Sequence, residues 1–464
     1  MKIILLLLSS DKYAYPLIRY LVLEGRRYGW RTCVGGVYDE SIIQSIANKE
    51  DKISKELTLI DINDLQQCGH AIRKADLVIG MIPPLILSQV ADLCIRFRKN
   101  LVSPEKLNEK ILRKHEVAAE SDTLLLMECG FSPGVDHITS GKIMHNIQAR
   151  RGTIHSFKSY SGSLIVDECS NNLLRYKIPV AAEELISLGK KTNRHLINGQ
   201  YCHIPYNQLF ERYEKVGIEG FQDLLAIMEG DSIRDREEYN LQSARTIIKG
   251  KLFKKEFVYM WQLLIKLGLT DNQTLIDCNY FNSYREFFQS LLPYSPFETI
   301  EKKLQRYFGL SEFEIDMLNH LGFLGDGWIG NANEVSPGQL LEYLLEKNFN
   351  RQEEDKDCIL MKHEIRYSNK SGNHKLTATL KAFGENKKDA ALSKAIGLTT
   401  GAAAKACLLG DIQLKGVHTP VAKAIYEPLL SELDDLGLAF NIEEVPEPQL
   451  NIIAKEKLDT VTTY

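Results

Sequence analysis

The apolar run 3–8 (IILLLL) gives way to a polar break at 9–12. Beyond it, Leu17, Ile18, Leu21 and Val22 recur at core-facing spacing. An unbroken apolar run suits a strand buried on both faces of a parallel sheet, whereas recurrence every three to four residues is helical. The spacing predicts a helix that begins near Pro16, weakens at Gly25 and stops before Gly29. The alternation continues to about residue 130, with strands predicted near 3–8, 31–37, 57–60, 76–82, 100–103 and 123–127 and helices between them. Such a pattern defines an α/β, doubly wound parallel sheet.

After ECGFSPGVDH (128–137) the pattern changes. A strand-like stretch at 153–166 and a charged, helix-rich interval from about 257 to 350 imply a second, α+β domain with a helical insertion. Residues 358–383 alternate on both sides of a Ser/Gly/Asn turn, which predicts a hairpin. Residues 390–410 are Ala/Gly-rich and helical, with side chains small enough to pack closely against a neighbour.

The chain has 464 residues, 44% apolar and 25% charged, enough to fill two or three cores. Its net charge of -4 offers no basic face for nucleic acid, and the basic run at 96–99 reads as a solvated helix end. Nine cysteines occur with no C-x-x-C and no paired histidine spacing, so neither a metal site nor a disulfide framework is expected. Reduced thiols fit the cytoplasm. The apolar run after Lys2 is too short for a secretory leader, and no other stretch approaches a membrane span.

The turn after the first strand is where a dinucleotide-binding domain places glycines for the bend, the pyrophosphate approach and helix packing. Here those positions are Ser9, Asp11 and Ala14. Only alanine is an ordinary replacement. A carboxylate at Asp11 beside two phosphates in a partly desolvated crevice costs on the order of 1–4 kcal/mol. Two readings stay open. In one, Asp11 turns outward and Ser9, Ser10 and the amides of the Pro16 helix serve the phosphates; in the other, the site is retired. An acidic residue near the end of VGGVYDE (34–40) suits a ribose hydroxyl, and no arginine stands there for a 2′-phosphate, so NAD is preferred over NADP. Ile82 and Pro83, ending the 76–82 strand, and Ser103, ending the next, fall on the sheet edge where ligands of open α/β sheets lie. Alternatively, Pro83 and Pro84 merely terminate a strand.

In ECGFSPGVDH, SYSGSL (159–164), CSNNLLRYK (169–177) and DLVIGMIP (76–83), the chain resembles the saccharopine reductase family, the glutamate-forming saccharopine dehydrogenases. IRD (233–235), TIIKGKL (246–252), HLGFLGD (320–326) and 390–417 extend the resemblance from end to end. The resemblance implies a Rossmann-type domain, 1–130, completed by about 388–440, and a substrate and dimerisation domain, 131–387. It further implies a homodimer and an NADP-linked reduction of the imine between an aminoadipate semialdehyde and glutamate.

Asn172, Lys177 and Arg234 (beside Asp235) match the family's groups for substrate carboxylates, and Ser161, Gly162 and Tyr176 lie in the matching phrases. His137 matches, with Asp136 before it, and is the candidate proton-transfer group; a packed or capping histidine is the alternative. Three chemical positions differ: Lys106 replaces a tyrosine, Ser132 an aspartate and Ser161 a cysteine. A desolvated Lys106 would protonate a substrate or hold a carbonyl as an imine, and a solvated one would do neither. The expectation is therefore an oxidoreductase acting on a C–N bond of an amino-acid adduct in the lysine/aminoadipate manner, hydride passing to or from NAD(P). Its partner is a small amino-acid or dicarboxylate substrate. The alternatives are a catalytically silent binding or regulatory homologue and an opine- or polyamine-type dehydrogenase.

Overall fold

The computed structural model describes residues 1–9, 13–36, 60–178, 182–190, 192–327 and 333–447. Ser10, Asp11, the acidic end of 34–40 and the start of the strand expected at 57–60 lie outside them. The chain forms two compact units. One takes Met1–Ser161, Arg234–Ile247 and the described residues from Asp357 onward; the other takes Gly162–Ile233 and Ile248–Lys356.

The first unit is built on a six-stranded sheet in the order 416–418, 124–126, 100–102, 77–81, 3–8, 31–36, parallel throughout. Its first strand shows why the run is wholly apolar. Ile4, Leu6 and Leu8 enter one hydrophobic cluster and Leu5 and Leu7 another, because successive side chains leave opposite faces and here both faces are covered.

The helix that follows spans Ala14–Tyr28 and ends on Gly29 at φ 69, whose N–H returns to Gly25 O. It begins two residues before Pro16, which occupies the first turn, where a missing N–H costs little. Gly25 does not interrupt it: a Cβ there would stand 2.9 Å from Trp30 O, so the bare glycine lets the exit fold back.

The small-residue segment forms the helix Ala391–Leu409, which packs on Ala14–Tyr28. A Cβ on Gly397 would meet Leu17 N at 2.8 Å and one on Gly401 would meet the Tyr20 ring at 2.5 Å. Ala390, at its start, has no capping side chain; Asp357 Oδ1 accepts the Ala391 N–H at 2.8 Å instead. Asp357 opens the hairpin Asp357–Asn369 and Gly372–Phe383, which turns at Asn369↔Gly372 with Gly372 at φ 126. The strand Asn441–Glu447 adds to it antiparallel.

In the second unit, Leu224–Ile227 pairs antiparallel with Lys251–Lys254 and with Tyr213–Lys215. The helices Lys255–Lys266, Tyr284–Ser290, Ile300–Phe308, Glu312–Leu321 and Pro337–Asn348 make up the predicted insertion. Phe253, Phe257 and Trp261 stack in sequence, with centroids 4.7 and 5.2 Å apart. All nine cysteines are free. Among the described residues no cluster suits a metal ion, and no helix is long and apolar enough to cross a membrane.

Candidate functional site

The parallel sheet reverses its winding between the neighbouring strands 3–8 and 77–81, whose last paired residues are Leu8 and Met81. Ligands of open α/β sheets lie at the carboxyl edge of such a reversal. Ser9 follows Leu8 and directs its N–H (3.0 Å) and its hydroxyl (3.3 Å) to Met81 O, clamping the two strand ends. Ile82 is buried, and Pro83 is exposed ahead of the helix Pro84–Phe97. Ser103 is fully buried; its hydroxyl donates to Gly80 O at 2.6 Å and accepts Glu105 N–H at 3.2 Å, which commits it to the sheet.

Ala14 opens the next helix under Tyr13, which contributes no side-chain cap, and the first turn carries no acidic residue. The leading amides of Ala14 and Tyr15, at the positive end of the helix dipole, suit a phosphate. The strand reversal and the helix start are thus where a dinucleotide's phosphates would lie, with residues 10–12 of that turn outside the described residues.

A second constellation lies in the same unit, beyond the strand Leu124–Leu126. Glu128 adopts φ 62, a left-handed conformation that a side chain rarely takes without compensation. Its N–H donates to Glu105 O, and Cys129 N–H donates to Ser103 O. The Glu128 carboxylate is about 3% exposed. Oε1 accepts Leu107 N–H and Arg234 Nη1, each at 2.9 Å, and Oε2 lies 3.1 Å from His137 Nε2. The other imidazole nitrogen, Nδ1, is 2.6 Å from Tyr239 Oη. Glu238 Oε1 accepts Arg234 Nε at 2.7 Å, and Glu238 Oε2 is 3.9 Å from His137 Nδ1.

Burial opposes ionisation of Glu128, but His137, Arg234 and the Leu107 N–H outweigh it and hold the carboxyl at about 2. Burial likewise works against the Arg234 charge, which Glu128 and Glu238 more than restore, raising its pKa. Tyr239 is pushed well above the phenol range by burial, then by Asp235, Asp136 and the two glutamates, so it stays protonated.

Of the residues singled out from the sequence, His137 and Arg234 meet in this network. Ser132 stands beside it: its hydroxyl donates to Asp136 Oδ2 at 3.0 Å, while Asp136 Oδ1 accepts the N–H groups of Gly134 and His137 at the start of the helix Val135–Ala149. Lys106 is exposed, between the two residues whose backbones bind Glu128. Ser161 is buried where the first unit's opening segment ends.

The others belong to the second unit. Gly162 faces Leu252, whose O is 2.6 Å from where a Cβ would stand. Asn172 closes its own loop, accepting Leu174 and Tyr176 N–H and donating to Tyr176 O at 2.7 Å. Tyr176 is buried with its ring 4.2 Å from Phe257. Lys177 Nζ sits 2.7 Å from both oxygens of Asp355, the pair 10% and 9% exposed.

Sequence reasoning missed Glu128, Glu238 and Tyr239. A glutamate directly after a buried apolar strand, and one four residues after Arg234 on a helix, were the available signals.

Fold and site together define a dinucleotide-fold α/β protein with a second α+β unit. Residues 130–438 match the family model described as "Saccharopine dehydrogenase C-terminal domain", and the chain belongs to that family. This bears out the resemblance read from the motifs. The chain is 25% identical over 464 residues to "Saccharopine dehydrogenase [NADP(+), L-glutamate-forming]" of Schizosaccharomyces pombe, covering 96% of this chain and 99% of that protein. It is 24% identical over 458 residues to the mitochondrial alpha-aminoadipic semialdehyde synthase of Rattus norvegicus, covering 94% of this chain but 47% of that protein. The chain therefore spans about half the length of that synthase. In fold it matches apo saccharopine dehydrogenase (L-Glu forming) from Saccharomyces cerevisiae at TM-score 0.80, with 20% identity and 96% and 100% of the two chains covered. Homospermidine synthase from Legionella pneumophila in complex with NAD shares the fold at TM-score 0.54, with 9% identity over 97% and 93% of the two chains.

Proposed function

We propose that this protein is an oxidoreductase of the saccharopine dehydrogenase type, exchanging hydride with a nicotinamide dinucleotide at a C–N bond of an amino-acid adduct. The observation that carries the reading is Arg234. It is a partly exposed guanidinium fixed by two glutamates, beside an imidazole–phenol pair, in a chain coextensive with a glutamate-forming relative. Nε and Nη1 are hydrogen-bonded to Glu238 and Glu128, while Nη2, itself buried, lies against Glu238 without an aligned hydrogen bond. The second Nη1 N–H of this partly exposed guanidinium would serve a substrate carboxylate.

His137, as buried as Glu128 and bounded by Glu128 and Tyr239, would hold a proton within the network behind Arg234 rather than touch the substrate itself. The amides of Ala14 and Tyr15, with Ile82 and Pro83 at the strand end that Ser9 clamps, would hold the dinucleotide, which supplies or accepts the hydride. NAD is favoured over NADP because no arginine follows the second strand for a 2′-phosphate. The active form in this proposal is a cytoplasmic homodimer.

A second reading, a silent binding or regulatory homologue, is favoured by one observation: Lys177 is already neutralised by Asp355. Calorimetric titration with NADH and NADPH, followed by initial rates on saccharopine, separates the two. Saturable binding with turnover supports the enzyme; no binding of either nucleotide up to millimolar concentration rejects it in favour of the silent homologue.

A further inference from the structure

We propose that Glu128 is the positioning residue of this site, one carboxylate setting the tautomer of His137 through Oε2 and the orientation of Arg234 through Oε1. The catalytic consequence rests on the oxidoreductase reading; the tautomer does not.

Glu128 is too buried to touch a substrate, yet every accessible group of the site leads back to it. A carboxylate only accepts. Nε2 lies 3.1 Å from Oε2, an ion-pair contact without an aligned hydrogen bond, and a carboxylate at that distance favours a proton on Nε2 over a lone pair, leaving Nδ1 to the Tyr239 hydroxyl at 2.6 Å. Tyr239, protonated, donates to that bare nitrogen, so one proton sits on each side of the imidazole in a defined order. Arg234 Nη1 donates to the other oxygen, Oε1, at 2.9 Å. Oε1 also accepts Leu107 N–H, and the Glu128 N–H reaches Glu105 O, so the backbone on both sides of Lys106 is fastened to the same residue. Lys106, the position where the family has tyrosine, therefore lies on backbone that Glu128 fixes on both sides, with its own side chain exposed.

The left-handed backbone of Glu128 accompanies this arrangement. Strain of this kind persists where surrounding contacts over-determine it, and here two backbone hydrogen bonds and one to the side chain do so: Glu128 N–H to Glu105 O, Cys129 N–H to Ser103 O, and Leu107 N–H to Oε1. A glutamine at 128 keeps the shape but loses the charge and offers an NH2, which turns His137 Nε2 into an acceptor and moves the imidazole proton to Nδ1. An aspartate keeps the charge on a shorter arm.

The test uses the full chain labelled with 15N-histidine, the His137 signal being assigned by its loss in His137→Gln. Wild-type protein should show the Nε2–H tautomer at His137; finding Nδ1–H there overturns the proposal without any need of a glutamate variant. Glu128→Gln should switch that tautomer, raise KM for a carboxylated substrate about tenfold or more and displace the pH dependence of kcat, while nucleotide affinity stays within twofold. Glu128→Asp should retain the tautomer and lose only the KM. An unchanged tautomer and KM in a folded Glu128→Gln protein sinks the positioning role alone. A tautomer switch in a protein whose wild type never turns over saccharopine sinks the oxidoreductase reading and leaves Glu128 in place.

Discussion

Lys177 and Asp355, 178 positions apart in the chain, meet with the ammonium 2.7 Å from both carboxylate oxygens. Asp355 Oδ2 also accepts Gln352 N–H at 2.6 Å, and Asp355 O accepts Arg351 Nη2 at 2.8 Å, so this lysine anchors the 351–355 loop. A cation expected to bind a ligand's carboxylate has found one within its own unit.

Lys177→Met should therefore destabilise the second unit by roughly 3 kcal/mol, because it strands a carboxylate that is only 9% exposed. Adding Asp355→Leu should recover most of the loss. Denaturant unfolding followed through buried Trp261 measures both. A Lys177→Met protein of unchanged stability would show the pair to be dispensable.

Asp11→Gly should tighten nicotinamide-nucleotide binding tenfold or more, the equivalent of about 1.4 kcal/mol of relieved repulsion. Isothermal calorimetry on both proteins reads this directly. Equal affinities would mean that the carboxylate does not face the phosphates.

Acid should act on Glu128 with a definite sign. Its folded pKa of about 2 lies below the ordinary 4.5, so its contribution is present above pH 4.5 and lost as pH falls from there toward 2. Wild type should exceed Glu128→Gln in stability by on the order of 3 kcal/mol at neutral pH. That gap should close on acidification through the same window, as followed by denaturant midpoints at successive pH values. A gap independent of pH would place the effect in packing rather than charge.

Gly397→Ala and Gly401→Ala should both loosen the packing of one helix on the other. The new methyl at 397 would stand 2.8 Å from Leu17 N, and that at 401 2.5 Å from the ring of Tyr20, which is buried and tied by its hydroxyl to Glu432. We expect a loss of about 1–3 kcal/mol at each, partly offset by alanine's helix preference of about 1 kcal/mol. Thermal melts of the two variants check it, and an unchanged midpoint would show that the neighbour gives way.

The parallel sheet was legible because burial on both faces removes polar residues from its strands, as at Ile3–Leu8 and Leu77–Met81. The hairpin was legible from alternation around Ser371–Gly372. The start of the first helix was misplaced by two residues because proline's preference for the first helical position was weighed above Ala14, which is wholly buried and helical. The site was legible at His137 and Arg234 through family phrases. Their partners were not: His137 and Tyr239 are 102 positions apart and Arg234 and Glu128 106, and periodicity reports only neighbours a turn away. Asn172 shows the converse, since its amide is spent shaping the loop that carries it.

The strand Gly416–His418 completes the parallel sheet beside Leu124–Leu126, though it emerges from the ribosome some 290 residues later. At typical translation speeds of roughly 5–20 residues per second, the nascent sheet keeps a bare, wholly apolar edge for about 15 to 60 s. An uncovered strand edge is a template for pairing with other chains, so the later strand protects the earlier one as well as extending the sheet.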